Sequence, residues 1–365
     1  MTGFVPPPYP TDRLDTLKKT ADGLDGGAVD LSIGTPCDPP PAIVVQALAQ
    51  SGAERGYPPS IGTPEFRSAA AGWMQRRLHV EVDSEAELAA CIGTKELVAG
   101  LPQWLHLRTP ERDTVLYPAI SYPTYEMGAI LAGCRAVPYT TLDSIDPADA
   151  ERALCLWVNV PANPTGELGD LGAAAVWGRA RRVPVLSDEC YVEFAWDGPP
   201  RTILEHGPEG VLAVHSLSKR SNLAGVRAGF YAGDADLVHY LREVRKHAGF
   251  MLPGPVQAAG AVAYADDAHV DEQRERYRRR LQRLRVILHH GFGIDAPMPS
   301  GAFYLWAPAP DGDAWRLAER LASEAGIVSS PGETYGPLGA GHVRLAVVQP
   351  DDRLDLVARR LHLDR

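Results

Sequence analysis

The segment HSLSKRSNLAGVRAGF, residues 215–230, holds two cations whose surroundings indicate a ligand. Lys219 lies in a serine-rich stretch, and Arg227 follows eight residues later within a Gly-x-Arg-x-Gly sequence. No acidic residue in this segment could neutralise them. A lysine amine can bond to an aldehyde carbon, and an arginine fork binds anions such as phosphate. The segment therefore predicts a site for an aldehyde, an anion or a ligand that is both.

A second motif, CIGTKELVAGL, runs from a predicted strand through Gly93, Thr94 and Lys95 into a predicted helix. Backbone N–H groups at the start of a helix can bind a phosphate, and the helix dipole favours its charge. The same residues could equally serve as a plain helix cap. The motif is neither a Walker loop nor a Gly-x-Gly-x-x-Gly fingerprint, which argues against a nucleotide.

Polar and aromatic residues also follow three other predicted strands. Tyr122 in ISYPTYE is either a core residue or a stacking surface, and Asn163 in NVPANPTGE lies in a turn bordered by prolines. Asp188 in LSDECY ends a predicted strand and is either a helix cap or a functional carboxylate. Tyr191 follows it by three residues. Ligands in α/β folds bind beyond the carboxyl ends of parallel strands, so these residues can share one site.

The elements that must position these residues alternate between short apolar runs and helical stretches. This pattern is typical of an α/β fold with a mostly parallel sheet enclosed by helices. The predicted strands cover residues 86–93, 113–118, 135–140, 153–160, 183–189, 211–217 and 227–233.

A long helix is predicted over about 269–290, because Val270, Tyr277, Leu281, Leu284 and Leu288 recur at helical spacing. Seven arginines lie within 274–285, but acidic residues on the same helix favour a solvated face over a nucleic-acid site. The later runs GAFYLWA, GIVSSPG and HVRLAVV are predicted strands of a smaller α+β unit. We therefore predict a large domain at 36–268 and a small domain formed by 1–35 with 269–365.

Composition excludes several classes of protein. The net charge of −10 gives no general attraction to nucleic acid or anionic membranes. Five scattered cysteines without a Cys-x-x-Cys pair fit reduced thiols, and the histidines show no metal-ligand spacing, so no metal is expected. The chain has no apolar run of about 18 residues and no signal-like start, so we expect a soluble, cytoplasmic protein.

Taken in order, the motifs resemble those of fold type I pyridoxal-phosphate enzymes, specifically the class I/II aminotransferases. The set is Gly-Thr, Tyr-Pro-x-Tyr, Asn-Pro-x-Gly, Asp-x-x-Tyr, Ser-x-Ser-Lys and Gly-x-Arg-x-Gly, and it extends over nearly the whole chain. The resemblance implies pyridoxal 5′-phosphate as cofactor, a mostly parallel large domain with a smaller α+β domain, and a homodimer with shared active sites.

The resemblance also implies a role for each matching residue. Lys219 would bond to the cofactor's aldehyde carbon, Asp188 would pair with the pyridine nitrogen, and Tyr191 would act with them in catalysis. The other implied cofactor contacts are phosphate binding by Ser216, Ser218, Arg227 and the backbone of Thr94 and Lys95, stacking by Tyr122, and hydrogen bonds to the 3-oxygen from Asn163 and Tyr191. Tyr57 in GYPPSIGT would reach the phosphate of the neighbouring subunit.

Two further residues are implied to contact the substrate. Arg344, in GHVRLAVVQP, matches the arginine that binds the substrate α-carboxylate as a bidentate fork. Gly34, in DLSIGTP, matches the backbone position that lies over the substrate. Without the resemblance, Arg344 could be a surface strand residue and Gly34 a simple turn.

Longer stretches such as SDECYVEFAWD and SPGETYGP are similar to actinobacterial succinyldiaminopimelate transaminases of the lysine pathway. That similarity implies amino transfer from glutamate to N-succinyl-2-amino-6-ketopimelate. Both substrates carry a second carboxylate, for which Lys95 and Arg220 are candidate cations. Lys95 could instead point to solvent, and Arg220 could face the phosphate or the dimer partner. The bulky Arg220 and Asn222 also depart from the small residues often found in this loop.

Three alternatives stay open. One is a transaminase of the same fold acting on aspartate, prephenate or an intermediate of secondary metabolism. A second is a β-lyase or decarboxylase, which would share Lys219 and Asp188. The third is a cofactor-sensing regulator, which we do not expect because the first strand of the fold, VDLSIG, begins near residue 29 and leaves no room for a DNA-binding domain.

Overall fold

The structure is a computed structural model that describes residues 4–7 and 10–363. The chain divides into two compact units. The large unit comprises 35–276 with 300–302, and the small unit comprises the chain up to 34 with 277–299 and the segment from 303 onward. The domains predicted from the sequence, 36–268 and 1–35 with 269–365, stay a prediction.

The strands in chain order are β1 (Val29–Asp30), β2 (Leu88–Cys91), β3 (Thr114–Pro118), β4 (Arg135–Tyr139), β5 (Ala153–Asn159), β6 (Val185–Asp188), β7 (Val211–Ser216), β8 (Gly229–Gly233), β9 (Tyr304–Pro308), β10 (Ile327–Val328), β11 (Ser330–Pro331) and β12 (His342–Ala346). The helices in chain order are α1 (Asp15–Asp22), α2 (Ala42–Gln50), α3 (Pro64–Leu78), α4 (Thr94–Arg108), α5 (Thr124–Leu131), α6 (Pro147–Glu151), α7 (Leu171–Arg181), α8 (Leu217–Arg220), α9 (Ala235–His247), α10 (Gly254–Ala265), α11 (Ala268–Phe292), α12 (Ala314–Ala325) and α13 (Asp351–Arg360).

The sheet of the large unit contains seven of the described strands, in the order β2-β8-β7-β6-β5-β3-β4. β8 runs opposite to its neighbours β2 and β7, and the pairs among β7, β6, β5, β3 and β4 are parallel, so the prediction of a mostly parallel sheet is confirmed. Each of the seven predicted strands of this region is present. Four of the interior strands, β5, β6, β7 and β8, are buried along their whole length, because helices cover both faces of a parallel sheet.

The small unit contains two short sheets among its described residues. β1 pairs in parallel with β10, while β11, β12 and β9 form an antiparallel sheet in that order. The predicted strands of a smaller α+β unit are therefore present. β12 lies at the centre of its sheet, which places its buried Arg344 on a rigid element.

The predicted long helix is confirmed as α11, and the five apolar residues that predicted it are all buried. Several of its arginines form contacts within the protein, such as Arg280 with Asp351. Arg274 donates to the Ala195 carbonyl and Arg285 to the Ala296 carbonyl. Among the described residues, the structure contains no helix with the length and apolar character needed to cross a membrane.

Candidate active site

Three adjacent parallel strands bring the predicted residues Asp188 and Ser216, together with Asn159, to one edge of the large unit's sheet. Asn159 ends β5, Asp188 ends β6 and Ser216 ends β7, with β6 between the other two. Asn159 and Asp188 are direct partners in the strand register. The one-turn helix α8 follows β7 at once and contains Ser218 and Lys219. The strand ends therefore gather residues from distant parts of the sequence, as a ligand site beyond the carboxyl ends of a parallel sheet requires.

Asp188 is a buried carboxylate that the fold holds in place from two sides. Tyr125 Oη donates to its Oδ2 at 2.8 Å, and the Cys190 backbone N–H donates to its Oδ1 at 3.2 Å. Burial raises the pKa of Asp188 above its ordinary value, and it outweighs these hydrogen bonds and the positive charge of Lys219, all of which lower that pKa. A carboxylate in this setting gains from a cationic or protonated partner, which a pyridine nitrogen can be.

Lys219 lies close enough to Asp188 for its charge to act on that carboxylate, and it is half-buried. Asn163 and Tyr191 are buried, and the backbone N–H of Asn163 donates to Asn159 Oδ1 at 2.7 Å. Tyr122 is half-buried, and its ring meets the Tyr125 ring edge-on at a centroid distance of 5.9 Å.

A cradle suited to a phosphate forms where Arg227 meets the start of α4. The Arg227 guanidinium donates to the Ala224 carbonyl at 2.8 Å and approaches Ser218 Oγ at 3.5 Å. Arg227 itself has a left-handed backbone, with φ of 59°, which is rare for arginine and common at functional sites. The Ser218 N–H donates to the Ser216 hydroxyl at 3.1 Å, so both serines belong to this loop.

Gly93 allows Arg227 to approach the helix start. Its φ is +67°, and a Cβ added there would lie 2.2 Å from Arg227 Nη2. Any larger residue would displace the guanidinium from the N-terminus of α4, where the first backbone N–H groups have no partner within the helix. The cradle therefore depends on a glycine at this position.

We expect Gly93→Ala to lower affinity for pyridoxal phosphate by at least about 10-fold, because the added methyl group displaces Arg227. The matched control is Gly133→Ala, which has a similar φ of +70° but has nothing within 4 Å of the added Cβ. Both variants should lose stability from the positive φ of their backbones, by about 1–3 kcal/mol each. Fluorescence titration of the cofactor-free proteins measures the affinity, and equal affinities for the two variants would contradict the cradle.

An ion pair between the buried Arg245 and the half-buried Glu96 anchors the first turn of α4. Arg245 binds both carboxylate oxygens of Glu96, at 2.7 and 3.0 Å, and Glu96 Oε1 accepts the Ile92 N–H at 2.9 Å. The Arg245 guanidinium also lies 5.1 Å from the centre of the Trp104 ring. The helix start that carries Thr94 and Lys95 is thereby fixed against the body of the unit.

Three residues of the site were missed from the sequence. Tyr125 donates to Asp188 and stacks on Trp157 at 4.9 Å. Asn159 accepts the Asn163 N–H and donates to the Asp188 carbonyl at 2.8 Å. The Cys190 thiol donates to Thr94 Oγ1 at 3.3 Å. Tyr125 could have been found as the second tyrosine of Tyr-Pro-x-Tyr, whereas the other two have no sequence signal of their own.

The prediction that Arg220 supplies a second carboxylate-binding cation is wrong. Its side chain is buried and its guanidinium is used inside the protein, by Glu193, Asp267 and the Ala263 carbonyl among others. An arginine whose donors are all engaged in this way has none to offer a substrate. Lys95 is exposed, and its role as the second cation stays a prediction.

In the small unit, Arg344 is buried between two aromatic rings. Its guanidinium carbon lies 4.2 Å from the centre of the Tyr304 ring and 4.9 Å from that of Tyr335, and Nη2 donates to the Ser32 carbonyl at 2.6 Å. Gly34 packs so closely on Tyr304 that an added Cβ would lie 2.3 Å from the phenol oxygen. The small unit thus holds the two residues predicted to bind substrate around one tyrosine.

Tyr57 is 95% exposed in the single chain. Within the described part of the chain, no group of three or more histidine, cysteine or carboxylate side chains is placed to hold a metal ion.

Comparison with known proteins agrees with this geometry. The family of class I and II aminotransferases matches residues 27–361. The chain is 42% identical to the 4-dedimethylamino-4-oxo-anhydrotetracycline transaminase OxyQ of Streptomyces rimosus, over 97% of this chain and 99% of that protein. It is 34% identical to the LL-diaminopimelate aminotransferase of Aquifex aeolicus, over 98% and 96% of the two chains.

Solved structures share the whole fold. A probable N-succinyldiaminopimelate aminotransferase from Thermus thermophilus superposes with a TM-score of 0.85 at 29% identity, covering 96% of this chain and 99% of that one. The buried Asp188 and the cradle of Gly93 and Arg227 fit the ring and the phosphate of pyridoxal phosphate, the cofactor of this family. The chain belongs to the class I and II aminotransferases, fold type I enzymes that depend on pyridoxal 5′-phosphate.

Proposed function

We propose that Lys219 holds pyridoxal phosphate covalently and that the protein transfers the amino group of glutamate to N-succinyl-2-amino-6-ketopimelate. The observation that carries the cofactor assignment is the convergence of Asp188, Lys219 and Arg227 around the carboxyl ends of β6 and β7. The choice of acceptor is supported by the similarity to an LL-diaminopimelate aminotransferase and to a probable N-succinyldiaminopimelate aminotransferase.

The residues of the large unit would divide the work as follows. When bound, pyridoxal phosphate supplies an electron-withdrawing ring that stabilises negative charge at the substrate Cα. Asp188 would hold a proton on the ring nitrogen, since a buried carboxylate favours a cation beside it. The Lys219 amine would then take the proton from the substrate Cα and return it to the carbon that carried the aldehyde. Arg227, both serines and the first N–H groups of α4 would hold the phosphate.

Asn163 and Tyr191 would donate hydrogen bonds to the ring's 3-oxygen, and Tyr122 would stack on the ring. The backbone of Gly34 would lie over the substrate, and a glycine is needed there because Tyr304 fills the space of a Cβ.

Arg344→Gln should raise the KM for glutamate by about 10- to 100-fold, the loss expected when a buried charge-assisted bond to the α-carboxylate is removed. The control is Arg353→Gln, which removes an arginine of the same unit that binds only the backbone carbonyls of Gly26, Gly27 and Ala28. Steady-state kinetics at varied glutamate measures the effect. A KM unchanged by Arg344→Gln would show that this arginine does not bind the carboxylate.

A second candidate acceptor is a ketone on a larger ring system made in secondary metabolism. It is favoured by the 42% identity to OxyQ, whose name gives a tetracycline intermediate as substrate. Arg220 is buried and bonded to Glu193, so it does not supply the second cation that two dicarboxylic substrates would need. This weakens the case for the lysine-pathway acceptor.

Half-reactions followed by visible absorbance separate the two acceptors. Glutamate should remove the yellow colour of the loaded protein, and 2-oxoglutarate should restore it. Removal of the colour by N-succinyl-LL-diaminopimelate would support the lysine-pathway acceptor. If glutamate acts but the succinylated amine does not, the aminotransferase assignment stands and this acceptor is discarded.

We further propose a homodimer in which Tyr57 reaches the phosphate of the neighbouring subunit, supported by its 95% exposure in the single chain. Mixing Lys219→Ala and Tyr57→Ala proteins under subunit exchange, at limiting cofactor, should restore about a quarter of wild-type activity. A random 1:1 mixture is about half hybrids, and each hybrid has one intact site. Hybrid formation without recovery of activity would contradict shared sites.

A further inference from the structure

Lys219 lies on a helix too short to fix its own position. α8 is four residues long, and a single helical turn is unstable without tertiary contacts. The next residue, Arg220, ends this turn and has a buried side chain. The contacts of Arg220 therefore help to fix the position of Lys219, the lysine that the proposed function places at the reacting carbon.

The Arg220 guanidinium is bound on all sides. Nε donates to Glu193 Oε1 at 3.1 Å, Nη1 to the Ala263 carbonyl at 2.6 Å and to Ser221 Oγ at 3.2 Å. Nη2 donates to Asp267 Oδ1 at 3.0 Å and to the Asp266 carbonyl at 3.2 Å. These bonds use the five donors that an arginine has. The planar group is thereby held in one orientation.

Glu193 connects this arginine to the other half of the cofactor site. It lies two residues after Tyr191 and five after Asp188, in the 3-10 turn Val192–Phe194. It is buried and also accepts Trp73 Nε1 at 2.7 Å and Arg77 Nε at 3.2 Å. One ion pair thus joins the segment after β6 to the segment after β7.

The junction of α10 and α11 completes the set of contacts. Asp267 also pairs with Arg76 at 2.9 Å, and His269 lies 2.9 Å from both Ser221 Oγ and Asp266 Oδ2. Removing two charges from water is costly, and a buried ion pair is often no more stabilising than apolar residues of the same volume. Its presence between two segments of the site therefore favours a role in geometry over a role in stability.

We infer that Arg220, held by Glu193, is a positioning residue that fixes Lys219 relative to Asp188. This inference rests on the proposed role of Lys219. Arg220 does not reach the reacting atoms itself. Its five bonds set where the turn of α8 lies, and Glu193 sets where the Asp188 segment lies. The pair therefore fixes the Lys219 amine relative to the ring that Asp188 would hold.

The test compares Arg220→Met with Arg67→Met. Arg67 is equally buried in the same unit and binds Glu85 with the carbonyls of Gly62 and Ser84, none of them on the segments that carry Lys219 or Asp188. We expect Arg220→Met to lower kcat with glutamate by about 30- to 100-fold, the cost of a misplacement of about 1 Å, with KM changed less than about 3-fold. Arg67→Met should lower only the melting temperature.

A second readout does not depend on turnover. The pH midpoint of the bound cofactor's visible band, measured without substrate, should move by about one pH unit in Arg220→Met and stay in place in Arg67→Met. Glu193→Gln keeps the shape of the side chain and should shift the pH midpoint in the same way. It replaces Arg220→Met in the test if that variant does not fold. Arg220→Lys, which keeps the charge but loses the fork, should be intermediate.

Equal losses of stability in the two methionine variants, with kcat and the midpoint unchanged in both, would overturn the inference. Lys219→Ala separates this failure from that of the proposed function. If Lys219→Ala keeps both the wild-type visible band and amino transfer, the assignment of Lys219 is wrong, and the inference falls with it.

Discussion

Lys219→Ala should abolish the covalent attachment of pyridoxal phosphate and slow amino transfer by at least about 10³-fold. In the proposed function this amine has two tasks, bonding to the aldehyde carbon and moving the proton from the substrate Cα. Proton transfer by a positioned base alone contributes about 10²–10⁴-fold. Borohydride reduction followed by mass spectrometry should label a peptide containing residue 219 in the wild type and none in the variant. Single-turnover absorbance with glutamate measures the rate.

The control is Lys246→Ala, which removes an exposed lysine from the last turn of α9. It should label and react as the wild type does. Addition of small primary amines should partly restore proton transfer in Lys219→Ala, because a free amine can act as the base that the missing side chain would supply. A borohydride label on a different lysine in the wild type would contradict the site.

Asp188→Asn should slow the half-reaction by about 10²–10⁴-fold, because a neutral amide cannot keep a proton on the ring nitrogen. Its effect on stability should be the opposite. In the absence of cofactor, Asp188 is a buried carboxylate with a raised pKa, so ionising it costs folding free energy. Asparagine has the same shape and no charge. The cofactor-free variant should therefore be at least as stable as the wild type at neutral pH.

The pH dependence gives the sign of this effect. A carboxyl group with a raised pKa in the folded state binds more protons there than in the unfolded chain, so wild-type stability falls as pH rises between the ordinary and the raised pKa. The advantage of Asp188→Asn should grow over that interval and vanish below the ordinary pKa. Urea unfolding of the cofactor-free proteins over pH measures it. If the stability of Asp188→Asn relative to the wild type falls between acidic and neutral pH, burial does not destabilise the Asp188 carboxylate.

Much of the fold could be predicted from local sequence. The seven strands of the large sheet and the helix α11 were predicted because buried parallel strands are continuous apolar runs and a helix repeats its apolar face every 3.6 residues. The family was recognised from ordered motifs in which each residue type matches a chemical task. Each of these signals lies within a short stretch of residues, so a single sequence is enough to detect it.

Contacts between distant segments could not be predicted in this way. The hydrogen bond from Tyr125 to Asp188 spans 63 positions, and Arg220 binds Glu193 and Ala263 across 27 and 43 positions. Arg220 was predicted to face a ligand because a cation beside Lys219 looks the same in sequence whether it points into the site or into the core. Only the packing of α10 and the turn after β6 shows that its donors are used inside the protein.

The sequence by itself therefore determined the fold class, the family and the residue types that are proposed to contact the cofactor. The tertiary structure decided which cation was available, which tyrosine supports Asp188, and why Gly93 must be a glycine where Arg227 approaches. The physical reason is the same in each case. Residue type sets what a side chain can do, whereas burial and the partners brought to it by the fold set whether it does so.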